Sequence, residues 1–172
     1  MIRELCQDDT ESFLRLKQRG LTTDPDAFVA TLDDDPQSYP EMVRERLRRA
    51  SIESGDIILG AFEPDLIGII AITRETRIKR QHKADLHGMY LIPEHRGKGL
   101  GKALLAQALE MARRMAGLEE IQLIVATHNQ DAVSLYERFG FVQVWTERAA
   151  LKWKDHYIDA HHMILTLTDR TP

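Results

Sequence analysis

The segment that sets the architecture of this chain reads Gly88-Met89-Tyr90-Leu91-Ile92-Pro93-Glu94-His95-Arg96-Gly97-Lys98-Gly99-Leu100-Gly101-Lys102. Its pattern predicts the end of a strand, then a loop in which glycines alternate with cations, then the start of a helix. Glycines let backbone amides approach a ligand closely, and a helix start adds partial positive charge. We therefore expect an anionic, phosphate-bearing ligand at this loop.

The rest of the chain shows alternating strand and helix periodicities, which predict an α/β sheet with helices on its faces. In order, the expected elements are a strand at Ile2–Leu5, helices at Asp8–Arg19 and Glu41–Ile52, strands at Ile57–Phe62, Leu66–Thr73 and Ala84–Ile92, a helix at Gly99–Met115, a strand at Ile121–Ala126, a helix at Asp131–Phe139, and strands at Phe141–Trp145 and Tyr157–Thr168.

Two details of this pattern bear on the site. Gly20 is expected to stop the first helix, because glycine is the usual residue after a helix end. The arginines of the second helix, Arg44, Arg46, Arg48 and Arg49, are expected to face largely outward.

Composition narrows the class of protein. The chain has 172 residues and a formal net charge of −4, and 43% of its residues are hydrophobic, which suits one globular domain over residues 1–172. An acidic chain lacks the positive field that nucleic acid binding needs, and no apolar run is long enough to span a bilayer, so we expect neither nucleic acid nor membrane as a partner. With a single cysteine, Cys6, and no signal-peptide pattern, we expect a cytoplasmic protein.

Two familiar nucleotide-binding loops do not fit the glycine segment. A P-loop ending at Gly101-Lys102 would need glycine where Arg96 stands and Ser or Thr where Ala103 stands. A dinucleotide fingerprint would need its third glycine where Lys102 or Leu104 stands. A nucleotide-binding switch is therefore disfavoured.

The pattern Arg96-x-x-Gly99-x-Gly101 after a strand resembles the GNAT superfamily of N-acetyltransferases. The segment Asn129 to Phe141, with the run Ser134-Leu135-Tyr136-Glu137, is similar to a second signature of that superfamily. The resemblance implies a single-domain mixed, mostly antiparallel sheet of six to seven strands, with helices on both faces, splayed around the cofactor.

The resemblance also implies the cofactor, acetyl-CoA, and the residues that hold it. The glycine loop would grip the pyrophosphate, free backbone groups of the preceding strand would pair with the pantetheine arm, and the Leu91 amide would polarise the thioester carbonyl. Asn129 matches a position that touches the pantetheine arm, and it also suits the N-cap of the helix that follows. The expected cofactor-binding residues are Met89, Tyr90, Leu91, Arg96, Gly97, Lys98, Gly99, Leu100, Gly101, Lys102, Asn129 and Tyr136.

Tyr136 matches the general acid of the superfamily. Thioester aminolysis must discharge a thiolate, and a phenol of pKa about 10 near the sulfur can protonate it as the C–S bond breaks. The alternative is that Tyr136 belongs only to the apolar face of its helix.

Asp85 and His87 are the candidates for the general base. They stand two residues apart on one strand and so share a face, and they fall where the similar arylalkylamine N-acetyltransferases carry two histidines. A histidine of pKa near 6.5 suits base work at neutral pH. A structural role for either residue, or proton transfer through water, remains an alternative.

We therefore expect transfer of acetyl from acetyl-CoA to a primary amine of a small molecule by direct attack in a ternary complex. Acetylation of a protein N-terminus or lysine, and acetyl-CoA sensing without turnover, are the alternatives. The acceptor would be chosen by residues 22–40 and 147–156. The acidic run Asp33-Asp34-Asp35 is typical of a solvated loop or, as the resemblance implies for that part of the acceptor site, favours a cationic amine. Trp145 and Trp153 are expected to pack or to line a rim.

Two further expectations concern metal and assembly. His161 and His162 are neighbours on a strand and point to opposite faces, so they and His156 are poor co-ligands, and no metal site is expected. Edge strands near the C-terminus make a homodimer plausible.

Overall fold

A computed structural model describes residues 1–31 and 39–168. It confirms the expected order of elements: β1 Ile2–Glu4, α1 Thr10–Thr23, α2 Pro40–Arg49, β2 Asp56–Phe62, β3 Leu66–Arg74, β4 Lys83–Leu91, α3 Leu100–Ala112, β5 Glu120–Ala126, α4 Gln130–Arg138, β6 Val142–Trp153 and β7 His156–Thr166. Within those residues, no helix has the length and apolar character needed to cross a membrane.

The strands form one seven-stranded sheet in the order β1-β2-β3-β4-β5-β7-β6. Every neighbouring pair is antiparallel except β4 and β5, which are parallel. These two strands pair only where Lys83–Asp85 meets Glu120–Gln122. Beyond that point they diverge, so the predicted mixed, mostly antiparallel and splayed sheet is confirmed.

Helices cover both faces of the sheet, as expected. Phe13 of α1 and Arg46 of α2 lie on the face that carries Asp85. On the other face α3 packs so closely that a Cβ at Gly68 would lie 3.2 Å from Leu104. The largest fully buried side chains come from β2, β3, α3, β5 and β7: Ile57, Ile58, Leu59, Ile70, Ile72, Leu104, Leu105, Leu109, Ile121 and Met163.

The expected role of Gly20 is wrong. Helix α1 continues through it to Thr23. A Cβ at Gly20 would stand 3.1 Å from the Phe28 ring and 3.2 Å from the Tyr90 ring. The residue is therefore small because two aromatic rings pack against the helix, and not because the helix ends there.

The strand expected at Phe141–Trp145 is also longer than its pattern indicated. Strand β6 continues to Trp153, with register irregularities at Gln143/Trp145 and Glu147/Leu151. Ala149 lies between the latter two at a φ of 52°. These irregularities break the alternation of side chains, which is why the second half of the strand resembled a loop.

Candidate active site

A β-bulge at Gly88 lies three residues beyond Asp85, the last residue of β4 that pairs with β5. Tyr90 pairs with Ile69 but His87 pairs with Ala71, so β4 carries one extra residue opposite Ile70. Gly88 adopts a φ of 62°, a conformation that favours glycine. The extra residue turns His87 and Met89 to opposite faces of the sheet, whereas residues two apart on a regular strand share a face.

The glycine-rich loop follows β4 on the α3 side of the sheet. Gly97 and Gly99 have φ angles of 75° and 80°, and Gly99 is the residue that caps the start of α3. Gly101 lies so close to β4 that a Cβ there would stand 3.4 Å from the Met89 side chain. Lys98 and Lys102 are exposed. The loop thus combines open backbone and two cations at a helix start, as an anion site requires.

Arg96 opens this loop, but its guanidinium is directed elsewhere. It donates two hydrogen bonds to the Asp24 carboxylate, at 2.8 and 3.1 Å, and a third to the Leu91 carbonyl at 2.9 Å. The hydrogen bonds from Arg96 outweigh burial and hold the pKa of Asp24 below its ordinary value. Arg96 therefore connects the end of β4 to the residue that follows α1.

Tyr136 lies on α4 and is 6% exposed. Its hydroxyl donates to the Met89 sulfur at 3.6 Å, and its ring meets Phe141 edge-on with centroids 5.7 Å apart. Burial raises the pKa of the phenol, so the hydroxyl keeps its proton at working pH. The core position weighed for Tyr136 is confirmed, and the same position directs the hydroxyl toward the strand expected to hold the thioester.

Asn129 is the N-cap of α4. Its side-chain oxygen accepts a hydrogen bond from the Ala132 amide at 3.3 Å, which satisfies one of the free amides at the helix start. The residue lies three positions after the end of β5, beyond the point where that strand parts from β4. The capping role is confirmed, and contact with pantetheine stays a prediction.

A cavity of about 670 Å³ opens on the α1 and α2 face of the sheet. Its outer wall is apolar, and three members of that wall are more than a third exposed: Ile124, Val144 and Trp145. Its polar lining includes Asp85, His87, Gln122, Lys17, Arg46 and Lys83. The cavity has the size and the mixture of apolar wall and few polar groups that small-molecule sites have.

Asp85 and His87 both line this cavity, so the expectation that they share a face is confirmed. Asp85 accepts a hydrogen bond from the Gln122 amide at 2.6 Å. His87 lies 2.9 Å from the Thr73 hydroxyl. Burial, with the nearby charge of Arg46, lowers the pKa of His87 to about 4, so the imidazole is neutral at pH 7.

Arg46 is a residue for which the expectation was wrong. Its side chain turns inward, and its Nε and a terminal nitrogen donate to Asp56 at 2.8 and 2.9 Å. Arg48 does face outward, where it pairs with Glu45 on the same helix. Nothing in the spacing of the four arginines distinguished the two, because the acidic partner of Arg46 comes from β2.

The remaining expectations concern histidines and acids near the cavity. His161 contacts Thr146, and His162 contacts Glu147 and stacks on Trp145 with ring centroids 3.9 Å apart. Within residues 1–31 and 39–168, no three His, Cys, Asp or Glu side chains are grouped to hold a metal ion. The run Asp33-Asp34-Asp35 lies outside the described residues.

Comparison with known proteins agrees with this geometry. The chain is 26% identical over 146 residues to the L-amino acid N-acetyltransferase AaaT of Escherichia coli, covering 84% of this chain and 87% of that protein. The GNAT-family acetyltransferase of Streptococcus pneumoniae superposes with a TM-score of 0.87 at 27% identity, covering 97% of this chain and 99% of that one.

A second solved structure supports the fold alone. The phosphinothricin acetyltransferase of Sinorhizobium meliloti, solved in complex with acetyl-CoA, has a TM-score of 0.81 at 20% identity and covers 97% of this chain and 88% of that one. The model of the acetyltransferase (GNAT) family matches residues 17–141, which include the bulge, the glycine loop and Tyr136. By that match the chain belongs to the GNAT family of acetyltransferases.

Proposed function

We propose that this protein transfers the acetyl group of acetyl-CoA to a primary amine of a small molecule, by direct attack while both substrates are bound. The observation that carries the proposal is the separation of β4 from β5 beyond Asp85 and Gln122. It opens the sheet between a face bearing a protonated phenol and a face bearing a neutral imidazole.

The α3 face supports binding of acetyl-CoA. On the side of β5, the backbone of residues 86–91 pairs with no strand among the described residues. Apart from the Leu91 carbonyl, which accepts from Arg96, its amides and carbonyls on that side can pair with a pantetheine arm. The amides of the glycine loop and the side chains of Lys98 and Lys102 suit the pyrophosphate. Arg96 then contributes its backbone and holds Asp24, while the Leu91 amide serves the thioester oxygen.

Tyr136 is the proposed general acid. As the C–S bond breaks, its hydroxyl donates its proton to the sulfur. The Met89 sulfur that now accepts from this hydroxyl is a weak acceptor, so a thiolate would compete for the proton effectively. The pKa of Tyr136, raised by burial, ensures that the proton is present when it is needed.

The α1 and α2 face supports binding of the acceptor. Its cavity encloses about 670 Å³, which suits a small molecule better than a protein chain. Asp85 can bind the ammonium form of the amine, which loses one proton to solvent before it attacks. The neutral amine then attacks the thioester carbon, and its nitrogen gives a second proton to His87 as the C–N bond forms and the C–S bond breaks. Afterwards His87 releases that proton and Tyr136 regains one from solvent, so that the products are the amide and the free thiol.

Two alternatives stay open for test. The relative from Escherichia coli is named for L-amino acids, which supports a small polar acceptor here. A protein N-terminus or lysine would have to enter the same cavity from its open outer side. A sensor without turnover would have no use for the phenol of Tyr136.

The experiment is release of free thiol from acetyl-CoA with amino acids, polyamines, arylalkylamines, aminoglycosides and peptides as acceptors, beside calorimetric titration of acetyl-CoA. We expect turnover with at least one small amine. Turnover with peptides alone would favour the protein acetyltransferase, and tight binding of acetyl-CoA without any turnover would favour the sensor.

A further inference from the structure

Four side chains form a hydrogen-bonded row that crosses the cavity face from α2 to β4. Arg46 donates to the Asp56 carboxylate through two nitrogens. The Thr73 hydroxyl lies 2.8 Å from Asp56 Oδ1, 3.1 Å from a terminal nitrogen of Arg46 and 2.9 Å from Nε2 of His87. We call Arg46, Asp56, Thr73 and His87 the Thr73 row.

The number of protons in the row determines the direction of each hydrogen bond. Burial alone would raise the pKa of Asp56, but the hydrogen bonds and charge of Arg46 outweigh it and hold that pKa below its ordinary value, so the carboxylate only accepts. The single hydroxyl proton of Thr73 therefore goes to Asp56 Oδ1, because two acceptor oxygens would otherwise face each other at 2.8 Å. Arg46 can only donate to Thr73 Oγ1.

The remaining contact of Thr73 then has one possible donor. With its proton committed to Asp56, Thr73 Oγ1 can only accept from His87, so Nε2 must carry the imidazole proton. Nδ1 is left with its lone pair, and no described residue donates to it. Since the ring lines the cavity, this lone pair is the acceptor that His87 offers there.

We propose that Asp56 and Thr73 are positioning residues for acetyl transfer: they fix His87 as its Nε2–H tautomer, so that Nδ1 receives the proton of the attacking amine. This inference rests on the proposed function, in which His87 is the base. Thr73 and Asp56 touch neither substrate and act through the ring.

The surroundings of His87 favour a neutral ring. The charged groups that face it are Arg46 from α2, Lys17 from α1 and Asp56 from β2. Burial and the two cations outweigh the carboxylate and lower the pKa of His87 to about 4. At pH 7 the ring thus has one proton to place, and the Thr73 row decides which nitrogen holds it.

The tautomer can be read without any turnover. In the full chain labelled with ¹⁵N-histidine, the resonances of His87 are identified by their loss in His87→Gln. At pH 7 we expect the proton on Nε2 with slow solvent exchange, and loss of that slow exchange in Thr73→Val. A proton found on Nδ1 in the unsubstituted protein would overturn the proposal.

Kinetics test the consequence for the base. We expect Thr73→Val to lower kcat at least tenfold while the KM of the acceptor and the affinity for acetyl-CoA change less than twofold, and Thr73→Ser to restore kcat. Thr76→Val, on the exposed connection after β3, is the matched control and should leave all three unchanged. A kcat within twofold of the unsubstituted protein in Thr73→Val would contradict the positioning role.

The two layers of the proposal fail separately. Absence of turnover with every acceptor counts against the proposed function, and the exchange measurement still tests the tautomer. Suppose that the Nε2 proton exchanges slowly in the unsubstituted protein but Thr73→Val leaves kcat unchanged. That result counts against His87 as the base and does not count against acetyl transfer itself.

Discussion

Asp24 and Arg96, at the end of α1 and the start of the glycine loop, share two hydrogen bonds of 2.8 and 3.1 Å. Asp24 is followed by a short 3-10 turn, whose Asp26 lies 3.3 Å from His156, the first residue of β7. A chain of contacts therefore runs from the loop expected to bind acetyl-CoA to the segment that borders the proposed acceptor cavity at Ala27 and Phe28.

This relationship predicts that Asp24→Asn weakens the binding of both substrates. Loss of the pair frees the Arg96 guanidinium and releases the segment after α1, so we expect the KM of acetyl-CoA and that of the acceptor each to rise about threefold to tenfold. Because the pair is partly exposed, the free energy of unfolding should fall by less than about 1 kcal/mol. Steady-state kinetics and urea unfolding measure the two effects.

The matched control is Glu45→Gln, which removes an exposed ion pair on α2 outside the site. It should change neither KM. A rise confined to one substrate in Asp24→Asn would show that the pair does not connect the two sites.

Tyr136→Phe is expected to lower kcat at least tenfold and to leave the affinity for acetyl-CoA nearly unchanged. The substitution keeps the buried ring against Phe141 and removes only the hydroxyl that is proposed to protonate the sulfur. Thiol release gives kcat, and calorimetry gives the affinity. Tyr157→Phe, at an exposed tyrosine of β7, is the control; an unchanged kcat in Tyr136→Phe would remove the general acid assignment.

Trp145→Ala is expected to reduce discrimination among acceptors. The indole forms part of the apolar outer wall and stacks on His162, so its loss should raise the KM of amines with an aromatic or alkyl body about tenfold and affect small polar amines less. Acetyl-CoA affinity should not change. Trp153→Ala in the same strand is the control, and an equal effect on all acceptors would exclude a role in specificity.

Asp9 is expected to make stability dependent on acid pH. Its carboxylate accepts two hydrogen bonds of 2.7 Å from Arg3 and one from the Cys6 amide, and the Arg3 hydrogen bonds lower its pKa from 3.8 to about 2. Because the pKa of Asp9 is lower in the folded than in the unfolded protein, the ionised carboxylate stabilises the fold at pH values above the unfolded-state pKa. This contribution is lost as the pH falls from about 4 to about 2.

Asp9→Asn should therefore reduce the free energy of unfolding at pH 7 by about 2 kcal/mol. Urea unfolding at a series of pH values should show the difference between the two proteins closing between pH 4 and pH 2. Glu11→Gln, at the second residue of α1 with a side chain that is 85% exposed, should show no such dependence. A difference that stays constant with pH would contradict the ion-pair explanation.

Local patterns predicted the elements because their causes are local. The apolar spacing after Gly99 predicts α3, and the alternation of β2 and β3 predicts a hairpin, since each depends on residues a few positions apart. The glycine loop could also be predicted from the sequence, because Gly97 and Gly99 adopt positive φ angles that favour glycine.

Only part of the polar lining of the cavity could be predicted from the sequence. Asp85 and His87 share a strand, so their common face followed from spacing, whereas Thr73, Asp56 and Arg46 come from three other elements and meet only in the folded sheet. The bulge was hidden for a similar reason: Gly88 shows its positive φ only once β3 sets the register beside it.

The opening of the sheet beyond Asp85 also bears on the proposed order of events in catalysis. If acetyl-CoA binds on one face and the acceptor on the other, as proposed, neither substrate would block the entry of the other. On the proposed assignment the acetyl group alone reaches through the gap between β4 and β5. On the same assignment the free thiol and the acetylated amine would depart from opposite faces of the sheet, so we expect random addition and random release in steady-state kinetics.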